Sequence, residues 1–267
     1  MKFSIFGLRA ASAPQIQPNP FPAGNDNRLP DHRPMPGRLL PEGAEQALAR
    51  PHVVGRILFD MVRNILARNN RVRMEDLLAI LASNGGYSCL LAALSDLSVM
   101  EPPPGPGPGI PRMVVVTHNN GHNYYFNELA NFYLLKSEFS FLRLALGAAQ
   151  HCDADIPFEM IQETIGHVAK TIGSDSEDFG VPRLPDEHLP GGLPINYVRI
   201  LWPKFLDVLN SHEVPPTQWP IALGFALSHV IEAGRGAIDP TLAARITLEC
   251  AIPMAKVDPE RIAGNPD

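Results

Sequence analysis

Closely spaced arginines are the first residues of this sequence that could recognise a ligand. They are Arg56, Arg63, Arg68, Arg71 and Arg73. Arg56 and Arg63 are seven residues apart, so they would lie two turns apart on one side of a helix. The first 73 residues hold 11 basic and five acidic side chains, a formal charge of +6, and the rest of the chain carries −12. This asymmetry favours an anionic partner: nucleic acid, an acidic protein or a membrane surface.

The alternative is that these arginines cover an ordinary solvated helix face and pair with carboxylates of the same chain. If they form a contact surface, we expect Arg56, Arg63 and Arg68 to be exposed and their guanidinium groups to have no internal carboxylate partner. Binding should then weaken as the salt concentration rises, because ions screen exposed charges.

Two histidines, His118 and His122, could ligate a metal if they faced each other. The intervening Asn120-Gly121 pair favours a two-residue type I′ turn between β-rich segments. That turn pairs His118 with Asn123 and places the two imidazoles on opposite faces of the hairpin. Only a three-residue loop would bring them opposite each other, so we predict no metal site here.

A second group of potential ligands lies in the run His151-Cys152-Asp153-Ala154-Asp155. The run falls between two predicted helices, so we expect His151 at the negative end of the first helix and Asp153 or Asp155 as the cap of the second. Capping accounts for most of these side chains without a metal. The sequence therefore predicts neither a metal nor a cofactor.

Aromatic residues near a long acidic loop are the remaining candidates for a ligand site. Tyr197, Trp202 and Trp219 follow residues 174–194, a segment rich in proline and acids. Aromatic residues at helical spacing usually belong to a core. The alternative is a pocket lined by these rings and covered by the loop, since long loops in compact domains often act as lids.

The chain contains no G-x-x-x-x-G-K-[ST], no strand-led G-x-G-x-x-G and no G-x-S-x-G motif. Nucleotide hydrolysis, dinucleotide chemistry and the common serine hydrolase site therefore have no support. Whether the chain is an enzyme stays uncertain, and the sequence favours a non-catalytic protein.

Helical periodicity dominates the elements that would position these residues. We predict a mainly α, multi-helix single domain with one small β-hairpin over residues 51–267, with a possible internal boundary at the Pro/Gly-rich residues 101–111. Residues 1–50 read as a disordered, Pro-rich leader, in which only residues 42–50 could form a short helix. Their apolar run, residues 3–8, is too short for a signal peptide, so we expect a cytoplasmic protein.

The order of elements in the first half resembles a winged helix-turn-helix. Helices are predicted over residues 54–66, 74–82 and 88–99, with a turn at residues 83–86 and the hairpin following. The third helix, however, offers no Arg, Lys, Asn or Gln to read base edges, and its one charge, Asp96, would repel phosphate. Nucleic-acid binding is therefore the third alternative.

The leading prediction is a non-catalytic interaction module that uses the basic N-terminal surface to hold an acidic protein. An enzyme or small-ligand binder with a pocket under residues 174–194 is the second. No stretch approaches the roughly 18 uninterrupted apolar residues of a membrane span, so none is expected.

Overall fold

Helices dominate the part of the chain that the structure describes, and one antiparallel hairpin accompanies them there, which confirms the predicted mainly α fold. The computed structural model describes residues 44–67, 71–99, 113–117, 121–172 and 179–263. The predicted leader up to residue 43 and the predicted boundary at residues 101–111 lie outside these ranges. The elements are α1 Ala44–Leu66, α2 Met74–Val99, β1 Val114–Thr117, β2 Asn123–Phe126, α3 Glu128–Asn131 with a π-helical turn Phe132–Lys136, α4 Phe141–His151, α5 Phe158–Ile172, α6 Pro194–Ser211, α7 Trp219–Ala233, α8 Pro240–Met254 and α9 Pro259–Ala263.

The helix α2 lies at the centre of the fold. It packs against α6, α7 and α8, and residues 77–90 are buried without interruption. A helix that is apolar on all sides is expected where neighbours surround it completely. By length and composition α2 could also cross a membrane, but 89% of its most apolar window is buried inside the protein. This is weak support for a membrane span, because core helices pass the same test.

The predicted turn at residues 83–86 is wrong, because α2 continues through it. The Ser83 hydroxyl donates to the carbonyl of Ala79 at 2.6 Å, and the Asn84 amide donates to the carbonyl of Ile80 at 2.8 Å. Both polar side chains thus find partners within their own helix while buried. The helix-turn-helix order predicted from the sequence is therefore not formed.

Two glycines in the middle of α2 permit close helix packing rather than a turn. A Cβ atom on Gly85 would lie 2.1 Å from the ring of Phe141, and one on Gly86 would lie 2.0 Å from the carbonyl oxygen of Ala251. Side chains at these positions would collide with α4 and α8. The absence of a Cβ is thus required by tertiary contact, which outweighs the low helix propensity of glycine.

Prolines inside α1 and α6 do not divide these helices. The sequence predicted a short helix over residues 42–50 and a separate one from residue 54, whereas α1 is continuous through the buried Pro51. The sequence also predicts that Pro203 kinks the helix around it or divides it in two, and α6 continues through Pro203 without division.

The hairpin register differs by one residue from the prediction. Thr117 pairs with Asn123, and the Thr117 hydroxyl donates to Asn123 Oδ1 at 2.8 Å, so the predicted pairing of His118 with Asn123 is wrong. His118 lies outside the described residues, so the structure does not place it relative to His122. The buried Tyr124 pairs with Val257 and holds β2 against the core, whereas β1 is exposed along its whole length.

The sequence predicts helix starts at Asn127 and at Asp239-Pro240, and both of these predictions are confirmed. The Asn127 side chain accepts from the N–H of Leu129, and the Asp239 side chain accepts from the N–H of Leu242 at 2.8 Å. The sequence also predicts a break near Ser137 in the helical segment that follows Asn127, and the backbone becomes extended there. These signals depend only on neighbouring residues, which makes them readable in the sequence.

We expect Gly86→Ala to destabilise the protein by about 1–3 kcal/mol, because the new methyl group must displace the backbone of α8. Gly147→Ala is the matched control: it lies inside α4 with no atom within 4 Å of the added Cβ. That variant should be about 0.5–1 kcal/mol more stable through helix propensity alone. Urea denaturation measures both, and equal effects would contradict the packing explanation.

Candidate functional site

Arg56 and Arg63 form one exposed basic site on α1. The Nε atom of Arg56 lies 3.1 Å from Asp60 Oδ2, and an Nη2 atom of Arg63 lies 3.2 Å from Asp60 Oδ1. Their side chains are 57% and 48% exposed. The expectation that no internal carboxylate contacts them is therefore wrong. Since one carboxylate serves two guanidinium groups, the group keeps a surplus positive charge.

The aromatic ring of Phe59 contacts both arginines of the site. The guanidinium carbons of Arg56 and Arg63 lie 5.2 and 5.5 Å from the ring centroid of the buried Phe59. Such cation–π contacts favour a defined guanidinium position over the face of the ring. The two arginines are therefore positioned from below by Phe59 and from the side by Asp60.

Aromatic contacts also fasten α1 to α7. The ring of His52 packs edge-on against Phe225 and His229, with centroid distances of 5.0 and 5.4 Å. Burial lowers the pKa of His229, and the nearby His52 lowers it further. Burying a neutral imidazole costs less free energy than burying a charged one. The contact between α1 and α7 therefore favours the neutral form of His229.

Arg73, another arginine of the predicted surface, makes its contacts at a different place. Arg68 lies outside the described residues, and Arg71 is exposed. The Nε atom of Arg73 lies 3.4 Å from Glu75 Oε2, and its Nη2 atom donates to the backbone carbonyl of Glu187 at 3.0 Å. Arg73 therefore supports a loop in the second half of the chain.

The two tryptophans proposed for a pocket belong to the core. Trp202 and Trp219 are buried with ring centroids 5.7 Å apart, and Tyr87 of α2 packs edge-on against Trp202 at 5.1 Å. The indole N–H of Trp219 donates to the carbonyl of Val214 at 2.8 Å. Their rings thus join α2, α6 and α7, which agrees with the core interpretation.

The described part of the acidic loop, residues 179–193, is fixed to the helices, and we refer to it as the strap. At one end the Nη2 atom of Arg183 lies 2.7 Å from Oε1 of Glu249, whose side chain is only 2% exposed. The backbone N–H of Arg183 and the hydroxyl of Thr164 also donate to this carboxylate, at 3.3 and 3.2 Å. A buried carboxylate with these partners holds the strap against α8 and α5.

The other end of the strap is bound to the first turn of α2. Asp76 Oδ1 accepts from the backbone N–H of Gly191 at 2.6 Å and from the hydroxyl of Tyr197 at 3.1 Å. The Nδ1 atom of His188 lies 3.0 Å from Glu75 Oε1. Burial alone would raise the pKa of Glu75, but the hydrogen bond to His188 and smaller electrostatic effects lower it overall. Burial and Asp76 raise the pKa of Tyr197.

A shallow apolar depression of about 310 Å³ lies on the strap itself. It is lined by Val181, Pro182 and residues 189–193. Of the three aromatic residues predicted to line a pocket, Tyr197 supports the strap from below and the two tryptophans are elsewhere in the core. The depression therefore offers apolar contact rather than a set of catalytic side chains.

Lys256 is a buried amine that the sequence analysis missed. Its side chain is 7% exposed and its Nζ atom donates to Asn131 Oδ1 at 2.8 Å, with the ring of Phe126 at 5.5 Å. Among the described residues no carboxylate forms an ion pair with it. Burial lowers the pKa of Lys256 to about 8. A lysine just after a helix reads as an exposed cation, so the sequence held no signal of its burial.

In the run from His151 to Asp155, His151 and Asp153 have structural roles. His151 ends α4 as predicted, but Asp153 does not cap the next helix: its carboxylate lies 3.0 Å from Arg235. Within the described ranges, no group of three or more His, Cys, Asp or Glu side chains is placed to hold a metal ion.

Comparison with other proteins adds no assignment. No protein-family model, no curated protein and no solved structure matches the chain. The function must therefore be inferred from the geometry of these sites.

The pH dependence of stability tests the burial of Lys256. In the unfolded chain lysine titrates near 10.4, whereas in the folded state its pKa is about 8, so between these values only the unfolded chain holds the proton. The free energy of unfolding of the natural protein, relative to Lys256→Met, should rise by about 3 kcal/mol from pH 8 to pH 10.5 and be constant below pH 8. Urea denaturation at a series of pH values measures this difference. An unchanging difference would show that Lys256 is solvated.

Proposed function

We propose that this protein is a non-catalytic interaction module that binds an acidic protein partner through Arg56 and Arg63 on α1. The observation that carries the proposal is the shared carboxylate: Asp60 is the acidic partner of both guanidinium groups. The surplus positive charge lies at the surface, where a second carboxylate can approach it.

The geometry of the two arginines supports binding rather than mere solvation. Guanidinium groups present a planar fork of donors that fits carboxylates. Here both groups are already held by Phe59 and Asp60, so less conformational entropy is lost when a partner binds. A pair of arginines held in this way binds a carboxylate more tightly than two mobile lysines would.

An acidic protein suits this surface better than nucleic acid. The continuous α2 removes the helix-turn-helix that would have presented a recognition helix. Duplex DNA carries one charge per roughly 1.7 Å along its axis, so it would extend well past the two arginines. It would then meet the surface of a chain whose overall net charge is −6. A compact acidic patch can contact the pair alone.

The test reverses both charges and measures binding to a fluorescent peptide of consecutive glutamates. Arg56→Glu with Arg63→Glu should weaken its affinity roughly tenfold or more, since favourable ion pairs become repulsive. The matched control is Lys204→Glu with Arg245→Glu, which changes net charge equally at two exposed positions on α6 and α8. Binding to the natural protein should also weaken as salt increases.

Two outcomes would contradict the proposal. One is an equal loss of affinity in the control, which would show an effect of net charge alone. The other is tighter binding of duplex DNA or phosphatidylserine vesicles than of the acidic peptide, with the same dependence on Arg56 and Arg63.

A further inference from the structure

We propose that the strap is a second docking site, separate from α1, which binds an extended peptide segment. In this proposal one large apolar side chain of the peptide enters the depression on the strap, and Lys or Arg residues flank it.

The apolar part of the site is exposed and small. Val181 and Leu193, which line the depression, are 38% and 43% exposed, and one further leucine, two prolines and two glycines complete the lining. The depression of about 310 Å³ lies at the lower end of the roughly 300–1,000 Å³ typical of ligand pockets, so it has room for one large apolar side chain. The side chain of a leucine or phenylalanine in a peptide fits within that volume.

The charges around the strap specify what flanks this side chain. Among the described residues, five carboxylates, two guanidinium groups and the imidazole of His188 lie in the strap or in the residues that contact it. The carboxylates are those of Glu75, Asp76, Asp186, Glu187 and Glu249, and the guanidinium groups are those of Arg73 and Arg183. Asp186 and Glu187 are exposed between the two lining segments, and no cationic side chain in the described ranges pairs with them. The site is therefore complementary to a basic segment.

The anchoring of the strap supports a binding role. It has little regular structure of its own, a single 3₁₀ turn over Asp186–His188. Nevertheless the buried Glu249 holds one end and Asp76 holds the other. Burying a carboxylate is costly unless its partners compensate for lost hydration, so this arrangement maintains one conformation of an exposed surface. A fixed surface loses less entropy on binding than a mobile loop.

The experiment uses the full chain and three synthetic peptides that differ only at the centre. Their central residues are Arg-Leu-Arg, Glu-Leu-Glu and Arg-Ala-Arg. In NMR titrations the Arg-Leu-Arg peptide should shift the amide resonances of Val181, Gly191 and Gly192 in a saturable way. The other two peptides should bind at least tenfold more weakly, the first through repulsion and the second through loss of the apolar contact.

Variants then separate the two parts of the site. Asp186→Lys with Glu187→Lys should weaken binding of the Arg-Leu-Arg peptide about tenfold, whereas Glu159→Lys with Glu163→Lys on the exposed side of α5 should not. Leu193→Asp should also weaken it, and aspartate is well tolerated at this N-cap position of α6. Arg183→Ala removes the partner of Glu249 and should weaken binding by loosening the strap.

The proposal is overturned if the acidic peptide binds as tightly as the basic one, or if no strap resonance shifts at millimolar Arg-Leu-Arg peptide. It is also overturned if Asp186→Lys with Glu187→Lys and Leu193→Asp both leave the affinity unchanged. Charge reversal at Arg56 and Arg63 should not affect this titration, so the two proposals can fail independently.

Discussion

The approach of α8 to Gly86 in the middle of α2 is the constraint on which the other features depend. Because no Cβ intervenes, the carbonyl of Ala251 reaches the backbone of α2, while Phe141 of α4 reaches Gly85 from another side. This contact sets the position of α8, and with it the position of two buried ionisable residues. Glu249 precedes the contact and holds the strap, and Lys256 follows it and bonds to Asn131. The strap is therefore anchored to a helix whose position depends on the close packing of α2 and α8.

Elements governed by local chemistry could be predicted, and those governed by tertiary contact could not. Asn127 and Asp239 cap helices as expected, since capping involves residues two or three positions away. Gly85 and Gly86 were interpreted as a turn because the sequence does not show that Phe141 and Ala251 pack there. The hairpin register likewise differs from the one that the Asn120-Gly121 turn preference predicts.

The candidate sites show the same division. The basic surface was predicted from spacing, and its pairing with Asp60 was also readable, since that residue lies four after Arg56 and three before Arg63. The strap could not be derived, because Arg183 and Glu249 are 66 residues apart. Burial of Lys256 likewise depends on α3, β2 and the residues after α8 coming together. Two surfaces of opposite charge, one on α1 and one on the strap, are thus presented by one helical core.

Amide hydrogen exchange through the middle of α2 tests this account most directly. If α2 is one helix held by its neighbours, the amides from Asn84 to Ser88 open only when the whole protein unfolds. Their exchange should then report the same free energy as global unfolding in urea. Exchange of these amides through a local opening several kcal/mol lower would show a flexible turn at Gly85 and Gly86. Two separate helices would then replace α2, and the packing that positions Glu249 and the strap would lose its basis.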